Sequence, residues 1–255
     1  MVSFDIIGDI AIIELRENNE KAIAKEIVKT NKRIKTVYKK LSAREGIYRI
    51  RKLKLVFGEN KSKTTHKEHG CLFKLNIRRV YFSPREGTER LRIVEKINEY
   101  GNRSTAIVFF AGIGPYPILI SKYCKLDKII GIEVNPIAVK YFKENIKINK
   151  VKNVVPIAGD VRRVAKNYYN KCDFVVMPLP ESGWKFLNYA IRCLKSKGIC
   201  FFYAISDEKD LYGYWVKRIK SIAKKMNRKI KILDKKRVLP FGIRKWKVRI
   251  DFMVM

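Results

Sequence analysis

Apolar and polar positions along the chain fall into two successive rhythms. Residues 4–15 run FDIIGDIAIIEL, rich in β-branched isoleucine on either side of Gly8-Asp9, which predicts two short strands about a tight turn. Residues 20–30 place Ile23, Ile27 and Val28 at helical spacing. Residues 34–39 and 48–57 predict further strands. Together these segments predict a small α+β unit ending near Asn76, with residues 61–67 as a basic loop inside it. From about Val80 the rhythm becomes strand, turn, helix, repeated. Residues 106–110, 128–132, 154–157, 174–177 and 198–204 are short apolar runs separated by helical stretches, the pattern of a parallel sheet buried on both faces. Residues 211–236 carry a dense basic helix and strand. The pattern contains no internal repeat and no low-complexity linker, and it predicts two domains, residues 1–78 and 79–255.

Composition narrows the partner. The 255 residues include 57 Lys+Arg against 24 Asp+Glu, a formal charge of +33. Such an imbalance repels itself unless a polyanion or a membrane surface neutralises it, and nucleic acid is the natural candidate. A solvated, Lys-rich surface of the kind found in hyperthermophile proteins is the competing explanation. The five cysteines, Cys71, Cys124, Cys172, Cys193 and Cys200, are odd in number and form no C-x-x-C pair. That argues against a disulfide framework and a zinc ribbon, and for a reducing cytoplasm. The first fifteen residues lack a basic leader, and Asp5, Asp9 and Glu14 interrupt their apolar run. They form neither a signal peptide nor a membrane span, so no membrane association is expected.

The sharpest local signal is Phe109-Phe110-Ala111-Gly112-Ile113-Gly114-Pro115, an apolar strand running into a glycine turn and then a helix beginning near Tyr116. Glycines there let backbone approach a ligand, and a helix N-terminus offers N–H groups to an anion. For S-adenosylmethionine that anion is the methionine carboxylate. A dinucleotide turn requires a third glycine where Pro117 stands, which weakens a hydride-transfer reading. The next strand ends in Gly131-Ile132-Glu133-Val134-Asn135-Pro136, where a carboxylate can accept from both ribose hydroxyls. A third closes on Gly159-Asp160-Val161, where Asp160 is placed to accept from an adenine amino group. Singly, each residue has an ordinary alternative: turn glycines for Gly112 and Gly114, solvated strand-end acids for Glu133 and Asp160.

With these residues assembled, the chain resembles the archaeal and eukaryal tRNA guanine-37 N1-methyltransferases and their wyosine-pathway relatives. The resemblance runs through Gly46-Ile47-Tyr48-Arg49-Ile50-Arg51, Tyr81-Phe82-Ser83-Pro84-Arg85 to Glu89-Arg90, the glycine turn, Glu133-Val134-Asn135-Pro136, Glu144-Asn145-Ile146 to Asn149, Gly159-Asp160 and Met177-Pro178-Leu179-Pro180. It implies a class I, Rossmann-like methyltransferase domain with a seven-stranded, mostly parallel sheet, preceded by a small α+β domain on the RNA side. It also implies a monomer acting on the anticodon stem-loop of tRNA. The implied S-adenosylmethionine contacts are Tyr81, Phe110, Ala111, Gly112, Gly114, Glu133, Val134, Asn135, Asp160 and Val161, with Arg85, Leu179 and Pro180 facing tRNA and no metal.

Guanine N1 carries a proton near neutral pH, so methylation there requires a base, and O6 gains negative charge as the proton leaves. By resemblance Glu89 is that base and Arg49 the cation on O6. From residue type alone, the favoured readings are Glu89 as an ion-pair partner of Arg85 or Arg90 and Arg49 as one more phosphate contact. Pro178 departs from the common Asn-Leu-Pro wording and Glu133 from the common Asp. Both changes resemble the archaeal subgroup that also methylates C7 of 4-demethylwyosine, Pro178 offering an apolar wall where an amide would stand. Gly87 is a third, smaller departure. Full-length relatives often begin with an extra domain that reads the tRNA corner, so recognition here is expected to rest on the anticodon stem.

Two rival readings share the architecture: transfer of an aminocarboxypropyl group from the same cofactor, and a noncatalytic RNA-binding module. The segment at Met177 to Pro180 favours methylation over the first, and intact Gly112, Gly114, Glu133 and Asp160 disfavour the second. A metal cluster of His66, His69 and Cys71 lacks a fourth ligand. Tyr212, Tyr214 and Trp215 are expected mainly in the core, with base stacking as the alternative. Residues 217–236 divide evenly between phosphate contact and a solvated basic face.

Overall fold

The computed structural model describes residues 4–14, 19–101 and 104–255, and its chain divides into two compact units. The first comprises residues 1–91, 112–115 and 135–150; the second comprises 92–111, 116–134 and 151–255.

In the first unit, strands β1 (Phe4–Ile7) and β2 (Ile10–Ile13) form the hairpin expected about Gly8-Asp9. Leu15, the end of the predicted apolar run, lies outside the described residues. Helix α1 (Glu20–Thr30) matches the predicted span and buries Ala24 and Ile27, one turn apart, against Ala11, Ile13, Ile34 and Val37. It connects β2 to β3 (Thr36–Lys40), which pair in parallel, and β4 (Leu53–Gly58) completes a four-stranded sheet. The predicted strand over 48–57 begins five residues late, because Glu45 and Ile50 first bridge across a turn.

The basic loop expected at 61–67 is instead a strand, β5 (Lys63–Glu68), paired with β6 (Cys71–Asn76). Its alternation is real but polar. Thr64 and Glu68 face inward, where Thr64 Oγ1 donates to Asp9 Oδ1 at 2.6 Å and Glu68 accepts Arg90 Nε at 2.7 Å. A hydrophobicity pattern cannot register a strand whose buried positions are filled by paired polar groups.

Helix α2 (Gly87–Glu99) leads into the second unit, whose sheet is built from β7 (Thr105–Phe109), β8 (Lys128–Glu133), β9 (Val154–Ala158), β10 (Cys172–Met177), β11 (Leu194–Asp207), β12 (Ile230–Gly242) and β13 (Lys245–Val254). Intervening helices are α3 (Pro115–Tyr123), α4 (Pro136–Ile148), α5 (Val161–Val164), α6 (Leu187–Cys193) and α7 (Gly213–Lys224). The strand order is β12-β13-β11-β10-β7-β8-β9, with β13 alone reversed against its neighbours. This is the seven-stranded, mostly parallel sheet the resemblance implied. Sequence order reverses between β7 and β10, the switch point outside which open α/β sheets bind ligands. No helix among the described residues is long and apolar enough to cross a membrane.

Candidate active site

Four adjacent parallel strands of the second unit, β10, β7, β8 and β9, end together, and part of the predicted set, including Phe110, Glu133, Asp160 and Pro178, stands at those ends. After β7, Phe110 takes a left-handed backbone (φ 57°), which costs a non-glycine residue about 1–2 kcal/mol and marks the turn as held by its surroundings. Its ring packs edge-on against Phe186 at 5.0 Å. Ala111 N donates to Ile132 O at 2.9 Å, tying the start of the turn to β8. At the end of β8, Glu133 is 9% exposed and its carbonyl accepts from Gly159 N at 2.9 Å. A nearly buried carboxylate at a strand end is placed to accept hydroxyls, the donor set a ribose presents.

Asp160 follows β9 as the N-cap of α5. Its Oδ1 accepts from Arg162 N at 2.7 Å and from Arg162 Nε at 3.0 Å, and these bonds hold the carboxyl below the usual aspartate range despite some burial. An adenine amino group would share an oxygen already engaged with Arg162. Val161 behind it is buried. After β10, Pro178 and Leu179 are half-buried and Pro180 is buried, with Leu179 O accepting from Gly183 N at 3.0 Å.

The first unit contributes the remaining predicted residues. Gly112 (φ 58°) and Gly114 (φ 91°) both need the left-handed region. A Cβ on Gly112 would meet only the Tyr81 carbonyl oxygen at 3.8 Å, so the backbone there is open to a ligand; on Gly114 it would lie 2.1 Å from the Phe142 ring. One glycine therefore leaves open space beside the backbone and the other allows close packing of the Phe142 ring. Both precede the N-terminus of α3, which suits an anionic carboxylate.

Tyr81 is flanked by two guanidinium groups, Arg44 at 4.0 Å and Arg49 at 4.6 Å from the ring centroid, and its hydroxyl donates to Glu86 Oε1 at 3.2 Å. Burial foremost pushes the phenol above its ordinary value, keeping it protonated. Arg49 has a left-handed backbone (φ 54°), a second strained non-glycine residue among those predicted.

Glu89 lies in the first turn of α2 and is 1% exposed. Of its two anticipated ion-pair partners, Arg90 grips Glu68 with two nitrogens and Arg85 Nε meets Asp5 at 2.5 Å. A Cβ on Gly87 would approach Glu68 Oε2 to 3.1 Å, so the glycine leaves room for that carboxylate beside α2. Asn135, expected at the cofactor, caps α4 by accepting from Ile137 N at 3.0 Å and donates to Arg79 O at 2.9 Å.

Sequence reasoning missed Arg44 and Glu68, which carry no periodic or motif signal and acquire roles only through Tyr81 and Arg90. His66 packs at a tilt against Phe82, ring centroids 5.1 Å apart, His69 Nε2 pairs with Gly87 O at 3.0 Å, and Cys71 is buried. Trp215 packs on Phe202 at 5.7 Å and donates to Ile205 O, whereas Tyr214 is 55% exposed.

Residues 64–233 match the family described as the TRM5/TYW2 methyltransferase domain, and residues 1–61 match the TYW2 N-terminal domain. A Pyrococcus abyssi protein named tRNA (guanine(37)-N(1))-methyltransferase Trm5b is 42% identical over 257 residues, covering 99% of this chain and 74% of its own. Nanoarchaeum equitans Taw22, named a tRNA (guanine(37)-N(1))/4-demethylwyosine(37)-methyltransferase, is 33% identical over the whole of both chains, 100% of each. A Methanocaldococcus jannaschii tRNA(Phe) (4-demethylwyosine(37)-C(7)) aminocarboxypropyltransferase is 32% identical, covering 98% of this chain and 97% of its own. Among solved structures, the complex of aTrm5 with tRNALeu superposes with a TM-score of 0.84 at 32% identity, covering 99% of this chain and 72% of that one. M. jannaschii TYW2 in complex with AdoMet gives 0.76 at 27% identity, covering 99% of both.

Proposed function

The chain belongs to the TRM5/TYW2 methyltransferase family, and from that premise we propose that it methylates N1 of guanosine-37 in tRNA with S-adenosylmethionine, and also C7 of 4-demethylwyosine at the same position. The observation that carries this reading is the row of β7, β8, β9 and β10 ends at the sheet's switch point. There a glycine turn, Glu133 and Asp160 supply the three donor and acceptor sets that a carboxylate, a ribose and an adenine demand.

The proposed holders of the cofactor are Tyr81, Phe110, Ala111, Gly112, Gly114, Glu133, Val134, Asn135, Asp160 and Val161. When bound, the cofactor supplies an electrophilic methyl group. Glu89 is the base that takes the N1 proton, placed in the first turn of α2 and shielded from water. Arg49 meets the charge that develops on O6, its guanidinium oriented in advance by the Tyr81 ring. Arg85, Leu179 and Pro180 contact the tRNA, and Pro178 walls the pocket for the base. Residues 1–78 form the domain on the RNA side, which also supplies Arg49, and 79–255 form the methyltransferase domain, in a monomer working in the cytoplasm.

The full-length match to the aminocarboxypropyltransferase, together with the N-terminal match to TYW2, favours a second reading in which the aminocarboxypropyl carbon is transferred instead. Nucleoside mass spectrometry of tRNA, bearing either guanosine-37 or 4-demethylwyosine, separates the two. Methylation yields 1-methylguanosine or isowyosine with adenosylhomocysteine, whereas the aminocarboxypropyl adduct with methylthioadenosine would replace the first reading by the second.

A further inference from the structure

The geometry points to a cleft in the first unit as a track for the phosphodiester backbone of the RNA stem, an inference that rests on the tRNA reading above and adds where the stem is held. The cleft has a volume of about 1410 Å³. Pockets for small ligands run to roughly 300–1,000 Å³ and are lined mainly by apolar groups. This one is larger, and the charges on its lining are unbalanced: eight cationic side chains stand against two acids, Asp9 and Glu144. Asp9 is already neutralised by Lys61 at 2.8 Å, which leaves a strongly positive lane.

Two strands and a helix supply most of the cations. Strand β5 turns Lys63, Thr65 and Lys67 outward while Thr64 and Glu68 point in, and Lys74 of β6 sits opposite Thr65 in register. Lys63 and Lys67 are four residues apart on one strand face, about 13 Å. Helix α4 adds Ile137, Lys140, Tyr141 and Glu144, one helical face, its opposite face being anchored by buried Ala138, Val139, Phe142 and Asn145. Arg78 and Arg79 complete the lane. Cations spread along a groove fit a row of phosphates, whereas a single anion would call for them at one point. Lys63, Lys67, Lys74, Arg79 and Lys140 are all exposed, and none has an ion pair among the described residues, so no internal carboxylate competes for them.

The test uses the full chain carrying Lys63→Glu with Lys67→Glu, and separately Lys140→Glu, with Lys125→Glu outside the cleft as control. Anisotropy of a labelled anticodon stem-loop is followed from about 50 to 200 mM salt, the range in which phosphate contacts dominate affinity. In the cleft variants affinity is expected to fall at least about tenfold, and the slope of log K against log salt to shrink by about one for each phosphate that the variant no longer neutralises. Cofactor affinity by calorimetry and the thermal midpoint stay at wild-type values, and the control retains its slope. Should a Glu variant melt early, the Gln variant at the same position supplies the readout. Unchanged affinity and slope in both cleft variants overturns the track, as does a loss confined to binding of phosphatidylserine vesicles. A wild-type chain that transfers no methyl group yet shows the expected slopes would keep the track and remove the activity reading instead.

Discussion

Asn145 lies along the backbone of Lys74 as a neighbouring strand would. Its Nδ2 donates to Lys74 O at 3.1 Å and its Oδ1 accepts from Lys74 N at 2.7 Å. The same Nδ2 also reaches Ile113 O at 3.0 Å, in the loop that carries both turn glycines. One helical turn on, Asn149 repeats the arrangement with Leu72 at 2.9 and 2.7 Å. Two amides at i and i+4 on α4 thus meet two residues at j and j+2 on β6, where helix and strand repeats coincide.

Asn145 is fully buried, whereas the Asn149 bonds are exposed. Replacing Asn145 by Ala strands buried backbone groups and is expected to cost at least about 2 kcal/mol, while Asn149→Ala should cost about 1 kcal/mol or less, since water replaces its bonds. Urea denaturation of the two variants checks this, and equal losses would mean that burial is not what gives Asn145 its weight.

Glu89→Gln keeps the shape of the side chain and removes the base. Methyl transfer to N1 is expected to fall by roughly 10²–10⁴-fold, with cofactor affinity unchanged. Arg49→Lys keeps the charge but loses the planar stacking on Tyr81, and should lower kcat with little effect on KM. Single-turnover assays with calorimetry measure both; a Glu89→Gln enzyme of wild-type rate would remove the proposed base.

Pro178→Asn puts an amide where the chain has an apolar wall. The N1 reaction should be spared and the C7 reaction on 4-demethylwyosine impaired, read by mass spectrometry of both products. Equal loss of both activities would show that position 178 serves folding of the segment and not base selection.

All five cysteines are buried, and burial pushes the thiols of Cys124 and Cys172 up to about 12. At pH 8 they are neutral, so a thiolate-directed disulfide reagent should leave the native chain unmodified and label all five after unfolding. Because these folded-state values exceed the unfolded one, near 9, their contribution to stability is complete below pH 9 and is lost as pH rises toward 12. Asp173 acts at the other end of the scale. Burial raises its carboxyl, but bonds from Thr105 N, Lys195 and Ser104 N outweigh that and hold it below the ordinary value, so its contribution is present above about pH 4 and lost as pH falls further. A denaturation series across pH should fall at both ends, and stability unchanged from pH 9 to 11 would count against the thiol effect.

Local pattern alone was enough to find most of the parallel strands and α1, because each depends on short-range spacing of apolar side chains that any packed partner would select. The glycine turn and the acids after β8 and β9 were legible for a similar reason: a position at a strand end is fixed by chain order. Polar groups that are buried in pairs were not legible. Strand β5 hides Thr64 and Glu68 behind a hydrophilic sequence. Lys247, Arg249 and Asp251 alternate along β13 like a solvated face, yet all are at most 3% exposed, with Arg249 Nε on Asp251 Oδ1 at 2.8 Å.

The sequence determined the apolar strands, helix α1 and the acids that end two of the strands, since those follow from backbone preference and periodicity within a few residues. Only the tertiary structure decided that Arg44 and Arg49 flank Tyr81, that Asn135 caps a helix, and that Asn145 stands in for a strand. Each of these depends on partners tens of residues away, and a polar side chain has no preferred environment until its partner arrives to satisfy it.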